Sequence, residues 1–137
     1  MAKFVLDSFA LLAFFRDETG ADDVEKLLNE AAEDKHELYI NTVNAGEVYY
    51  MSSRKDSAAK ATQVWEAMKK FPMHFIVADM DLTLAAAKIK ANYKLSFADA
   101  YAAALTIHKK ATLITGDYEF QNLIGEAGFK VRYIDAK

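Results

Sequence analysis

The 137-residue chain contains no cysteine. Disulfides, thiolate metal sites and cysteine nucleophiles are therefore excluded, and the composition agrees with a reducing cytoplasm. Five glycines are present, but they form no phosphate-cradling loop, and no serine sits in a glycine-flanked elbow. A dense basic block is also missing. Arg54-Lys55, Lys69-Lys70 and Lys109-Lys110 are isolated pairs, and the formal net charge is −3. This argues against a protein that holds nucleic acid by phosphate neutralisation alone. It leaves room for one that touches few phosphates and uses metal ions as its positive charge. The longest apolar run, Phe9 to Phe15, is far short of the roughly 20 residues that cross a bilayer. The first residues lack the basic start, apolar middle and small-residue cleavage site of a signal peptide. No membrane association is expected, and a cytoplasmic location is.

What is present is a globular composition, 53% apolar and 27% charged, and a length that fits one domain over residues 1–137. Short apolar runs read as strands at 4–6, 38–40, 74–77, 112–115 and 131–134. Helical periodicity falls between them at 8–15, 21–33, 43–51 (starting from Asn41-Thr42), 58–70, from Asp81 to about Tyr93, 97–109 and 118–124. The single proline, Pro72, closes the fourth of these helices, and Asp81 is the expected cap of the fifth. Strands that alternate with helices call for an α/β fold, with a parallel sheet covered on both faces.

Ligands of an open parallel sheet bind outside the carboxyl ends of its strands. Asp7 and Asp117 each stand directly after a strand. Glu47 lies in the first turns of the helix after the second strand, and Asp99 in the first turn of the helix before the fourth. Each acid also has a local reading. Asp7 can cap the helix from Ser8, Asn44-x-x-Glu47 and Ser96-x-x-Asp99 can be capping boxes, and Gly116-Asp117 is turn chemistry. Four acids converging on one edge would repel one another, and no lysine or arginine adjoins any of them in sequence. Oxygen ligands without sulfur or clustered histidine favour a hard cation such as Mg²⁺ or Mn²⁺.

Other candidates weigh less. His36, His74 and His108 are scattered without ligand spacing and read as exposed or internally satisfied. Asp79-x-Asp81 leads into an ordinary helix. Phe14, Phe15, Tyr49 and Tyr50 read as core rather than as a base-stacking platform.

Val5-Leu6-Asp7-Ser8 with its apolar helix, Asn44-x-x-Glu47, Ser96-Phe97-Ala98-Asp99-Ala100 and Leu113-Ile114-Thr115-Gly116-Asp117-Tyr118-Glu119-Phe120 resemble, in order and spacing, the motifs of PIN domains. The nearest likeness is to the small VapC-type toxins, and it runs along essentially the whole chain. The resemblance implies a three-layer α/β/α sandwich with a four- to five-stranded parallel sheet. It implies a metal-dependent endoribonuclease that hydrolyses RNA phosphodiester bonds. Asp7, Glu47, Asp99 and Asp117 would be its acidic quartet for Mg²⁺ or Mn²⁺. Asp7, Asp99 and Glu47 would hold the first ion or orient its water, and Asp117 would complete that site or share a second ion. Ser8, Asn44, Thr115 and Glu119 are candidates for supporting contacts or for binding a phosphate oxygen or water. Glu119 stands where many members carry a second aspartate. The resemblance further implies a homodimer, an RNA substrate and a cognate antitoxin of a type II toxin–antitoxin pair. An RNA-processing nuclease without an antitoxin, and a non-catalytic binding module on the same fold, are the alternatives. Arg16, Arg54 and Lys55 are rim candidates for contacting the RNA.

Overall fold

The computed structural model describes residues 1–126 and 128–134. Its elements follow in the order β1 (Ala2–Leu6), α1 (Ser8–Phe15), α2 (Ala21–Ala32), β2 (His36–Asn41), α3 (Thr42–Lys55) and α4 (Ala58–Met68). After these come β3 (His74–Ile76), α5 (Met80–Asn92), α6 (Phe97–Lys109), β4 (Thr112–Thr115), a 3-10 helix (Tyr118–Leu123) and β5 (Val131–Tyr133). The sheet has five strands in the order β3-β2-β1-β4-β5, and every pairing is parallel. The expected α/β/α sandwich is therefore the observed fold.

The two-residue alternation of a strand divides the core. Leu6, Leu38, Ile40 and Ile114 point to one face, where they meet Leu11, Val24, Val48, Val64 and Met68 of α1 to α4. Val5, Tyr39 and Leu113 point to the other, against Leu82 and Ala86 of α5, Ala102 and Leu105 of α6, and Phe120. Helix α6 was expected to bury one stripe. Instead every residue from Ala100 to Thr106 is buried, because the helix lies between the sheet, α5 and α3. Four alanines in that run keep it narrow enough to fit there.

Local chemistry departs from expectation at two caps. Asp79, not Asp81, caps α5: its side chain accepts the Leu82 N–H at 2.9 Å. The helix begins at Met80, so the residue left in extended backbone is Asp79 (φ −77°, ψ −177°). Asn41, not Asn44, caps α3, for the same reason. Two of the four aromatic residues expected in the core are not there: Tyr49 and Tyr50 are 42% and 46% exposed. No helix among the described residues is long and apolar enough to cross a membrane.

The strand order reverses direction between β1 and β4. Crevices for ligands form at such a switch point, at the carboxyl edge. Asp7 leaves β1 and Asp117 leaves β4 there. Helix α6 joins them because its C-terminal end turns within two residues into the start of β4. Thirteen residues of helix span about 20 Å, so the N-terminus of α6, with Asp99, returns to the carboxyl edge.

Candidate metal centre

Asp7 is 1% exposed and caps α1. Its Oδ1 accepts the Ala10 N–H at 2.9 Å, and its Oδ2 accepts the Thr115 hydroxyl at 2.5 Å. The same hydroxyl oxygen accepts the Asp117 N–H at 3.0 Å. With a lone pair occupied by that N–H, the Thr115 proton is directed at Asp7. One side chain on β4 thus ties together the two acids at the switch point.

Glu47 is held from two sides. Its Oε1 accepts the Ser8 hydroxyl at 2.8 Å and the Asn44 amide at 3.1 Å. Asn44 also donates to the Ala98 carbonyl at 3.1 Å, which fastens α3 to the start of α6. Asn41 completes the clasp by accepting the Asn44 N–H at 2.9 Å and donating to its Oδ1 at 3.0 Å. Both asparagines are fully buried. The expected capping box at Asn44-x-x-Glu47 is therefore absent; these residues form a clamp across three elements. Ser96 does cap α6 by accepting the Asp99 N–H at 3.1 Å. Asp117 caps the 3-10 helix by accepting the Glu119 N–H at 2.9 Å. A capping role and a place at the edge coexist, because a cap uses one carboxylate oxygen.

The electrostatics are one-sided. Burial pushes the Asp7 carboxyl up to about 7, against the lowering effect of its hydrogen bonds from Thr115 and Ala10; the charges of Asp99 and Asp117 raise it further. Burial also lifts Asp99 to about 6, with Asp117 the next cause, Ser96 opposing, and Glu47 and Glu119 adding to the rise. All five acids therefore belong to one interacting group. Asp99, Asp117 and Glu119 each offer an oxygen, and the three lie within 4.8 Å of one another. Asp7 and Glu47 stand outside this triple, as inner neighbours. Tyr133, paired with Thr115 in register, also feels Asp117; its hydroxyl is buried without a hydrogen-bond partner among the described residues.

This donor set fits a hard divalent cation. It supplies carboxylate oxygens alone, uncompensated by any cation in the charges acting on Asp7 and Asp99. The sequence pattern gave Glu119 a supporting place only and did not reveal Asn41 or Tyr133. The Asn41-x-x-Asn44 spacing across a strand-to-helix junction was a usable signal for the first. Tyr133 depends on strand register, which no local pattern reveals. Of the rim candidates, Arg16 donates to the Met51 carbonyl at 3.5 Å. Arg54 and Lys55 lie two turns beyond Glu47 along α3, away from the edge.

Comparison with known proteins agrees with this architecture. The PIN domain family profile matches residues 4–125. A search of curated proteins gave no match. Among solved structures, DNA-bound VapBC from Salmonella typhimurium aligns with TM-score 0.74 and 14% identity, over 98% of this chain and 99% of that one. VapBC2 from Rickettsia felis, bound to a promoter DNA fragment, gives 0.73 and 13% over 96% and 98%. VapC20 from Mycobacterium tuberculosis, described as a sarcin-ricin loop cleaving toxin, gives 0.69 and 16% over 88% and 93%. At these identities the structures share the fold. The profile match covers most of the chain, and the chain belongs to the PIN domain family.

Proposed function

We propose that this protein is a Mg²⁺- or Mn²⁺-dependent endoribonuclease, acting as the cytoplasmic toxin of a type II toxin–antitoxin pair. The observation that carries the reading is the carboxylate triple of Asp99, Asp117 and Glu119, set beside buried Asp7 at the switch point of a PIN fold. Asp7, Glu47, Asp99 and Asp117 are the residues to which we assign the metal site, with Glu119 as a further ligand. A divalent ion held there supplies the positive charge that acidifies a water and offsets the charge growing on the phosphate.

The chain's own residues supply the rest. Thr115 fixes the plane of the Asp7 carboxylate and the position of the Asp117 backbone. Ser8 and Asn44 both load Oε1 of Glu47, so we assign Oε2 to the attacking water, whose proton it would accept. The clasp from Asn44 to the Ala98 carbonyl keeps Asp99 against this group. Few phosphate contacts are needed, which reconciles RNA binding with a net charge of −3.

Partners follow from two apolar surfaces. Val77, Met80 and Leu84 are 70%, 67% and 54% exposed around the start of α5, a patch that a second copy would cover in a homodimer. Between α3 and α4, Ala45, Tyr49, Trp65 and Phe75 line a groove of about 370 Å³, which we assign to apolar side chains of an antitoxin. The VapBC complexes that share this fold support an antitoxin partner.

The decisive measurement is cleavage of structured RNA. With Mg²⁺ the wild-type chain should cut, and EDTA or Asp99→Asn should reduce cutting at least a hundredfold, about 2.7 kcal/mol of transition-state stabilisation. Equal cutting by Asp99→Asn would overturn the reading. Growth arrest on expression without a second gene separates a toxin from an RNA-processing nuclease.

A further inference from the structure

We infer that a cavity beside the acidic edge is a nucleobase pocket that selects guanine next to the cleaved phosphate; the inference rests on the nuclease reading above. Phe9, Glu18, Thr19, Gly116, Tyr118 and Ile134 line a cavity of about 440 Å³, within the size range of built ligand sites. Its position is set by the chain itself. Gly116 and Tyr118 flank Asp117, and Phe9 lies two residues after Asp7.

Both aromatic rings are presented to solvent, Phe9 at 46% and Tyr118 at 49% exposure. Neither is loosely held. Phe9 lies against the backbone of Gly116, where an added Cβ would come within 2.2 Å of the ring. Tyr118 stacks on Tyr133 with ring centres 4.4 Å apart and planes at 21°. Two oriented, half-exposed rings at the edge of a phosphodiesterase site are what a flat base uses for stacking.

The polar wall adds discrimination. Glu18 sits on a backbone fixed from both sides, donating its N–H to the Ala13 carbonyl at 2.9 Å and accepting the Ala21 N–H at 2.9 Å. A carboxylate only accepts hydrogen bonds. Guanine is the base whose Watson–Crick edge offers two adjacent donors, N1–H and the N2 amino group, to such an acceptor. Adenine and cytosine offer one amino group each, and uracil one imide N–H.

The test uses the full-length chain and short single-stranded RNAs in which one guanosine is replaced by inosine, which lacks the N2 amino group. Wild type should bind or cleave the inosine substrate about tenfold more weakly. Glu18→Gln should bring that ratio close to one without changing the Mn²⁺-induced rise in Tm. Tyr118→Leu should raise KM about tenfold, the loss of one stacked base, and Tyr118→Trp should restore it. Binding is also measured by fluorescence anisotropy on an Asp99→Asn background, so the pocket is decided even without turnover. If Asp99→Asn abolishes cleavage while Tyr118→Leu and Glu18→Gln leave affinity and base preference unchanged, the pocket is overturned and the nuclease reading stands. If RNA affinity is unchanged but Tyr118→Leu converts a dimer to a monomer in gel filtration, the cavity is a protein contact and the inference is likewise overturned.

Discussion

The two ends of the sheet both bury polar groups, yet they are built on opposite terms. At the amino edge, buried His36 meets the Leu27 carbonyl at 2.9 Å and lies 3.9 Å from the Glu30 carboxylate. Its ring packs edge-on against Phe4 at 5.0 Å, and Arg132 rests over the same Phe4 ring at 5.0 Å. Asp23, Lys26 and Glu30 line the adjoining cavity, so both signs of charge are present. At the carboxyl edge the charges acting on Asp7 and Asp99 are all negative. The first end is electrically balanced. The second stores repulsion that folding alone does not relieve, the usual mark of a site waiting for a ligand.

The largest test of this contrast is Asp7→Asn. The amide keeps an oxygen for the Ala10 N–H and removes the buried charge. The folded-state value of about 7 lies above the unfolded value of 3.8, so between these pH values the folded protein keeps a proton that the unfolded chain has released. The contribution of this group to the stability of the metal-free protein is then complete below about pH 4 and is lost as pH rises through 7. Asp7→Asn should remove this part of the decline, leaving the part due to Asp99, and, at neutral pH, raise Tm by roughly 6–15 °C, or about 2–4 kcal/mol, while cleavage falls at least a hundredfold. Thermal melts in EDTA across pH 4–8 check it. A lower Tm for Asp7→Asn at pH 7.5 would show that the buried Asp7 charge does not destabilise the edge.

Thr115→Val comes next. It leaves Asp7 Oδ2 and the Asp117 N–H without their shared partner, and should cost about 1–3 kcal/mol of stability. Cleavage should fall about tenfold, because two acids lose their alignment rather than their charge. Thr115→Ser should restore both in urea melts and in kcat, since it keeps the hydroxyl. Recovery of stability without recovery of kcat would mean that Thr115 supports the fold and does not position the acids.

At the balanced end, His36→Leu removes one buried hydrogen bond and should cost about 1–2 kcal/mol, lowering Tm by a few degrees. Cleavage per folded molecule should not change. A tenfold loss of kcat in His36→Leu would erase the distinction between the two ends.

The contrast also marks what could be read from the sequence. Buried strands that end in acids, and the order of strand and helix, placed Asp7, Glu47 and Asp117 at one edge from local pattern and connectivity. Asp99 needed one more fact, that α6 runs straight into β4. The clamp was invisible because its bonds span the chain: Ser8 to Glu47, Asn44 to Ala98, and Thr115 to Asp7 across 108 positions. Caps at Asn41 and Asp79 were misassigned because helix starts shift by one or two residues without changing the periodic stripe. Exposure of Tyr49 and Tyr50 was likewise hidden, since aromatic composition does not reveal which helix face lacks a neighbour.

Glu119 gives the smallest effect and tests the outer boundary of the acidic end. It completes the oxygen triple with Asp99 and Asp117, but it is exposed, on the first turn of a short 3-10 helix. Water competes for its carboxylate, and its long side chain loses rotamer freedom on binding an ion. Glu119→Gln should therefore weaken Mn²⁺ binding about threefold, near 0.6 kcal/mol, whereas Asp99→Asn, which removes a half-buried carboxylate of the proposed site, should weaken it by a much larger factor. Calorimetric titration with Mn²⁺ compares the two directly. Glu119→Asp adds a second distinction. If Glu119 coordinates the ion directly, the shorter side chain withdraws the oxygen and behaves like Gln. If it acts only as a nearby negative charge, Asp preserves the field and binding stays at the wild-type level. Equal losses for Glu119→Gln and Asp99→Asn would move the centre of the site outward, to the three carboxylates alone, and would leave Asp7 as a support for the metal residues rather than one of them.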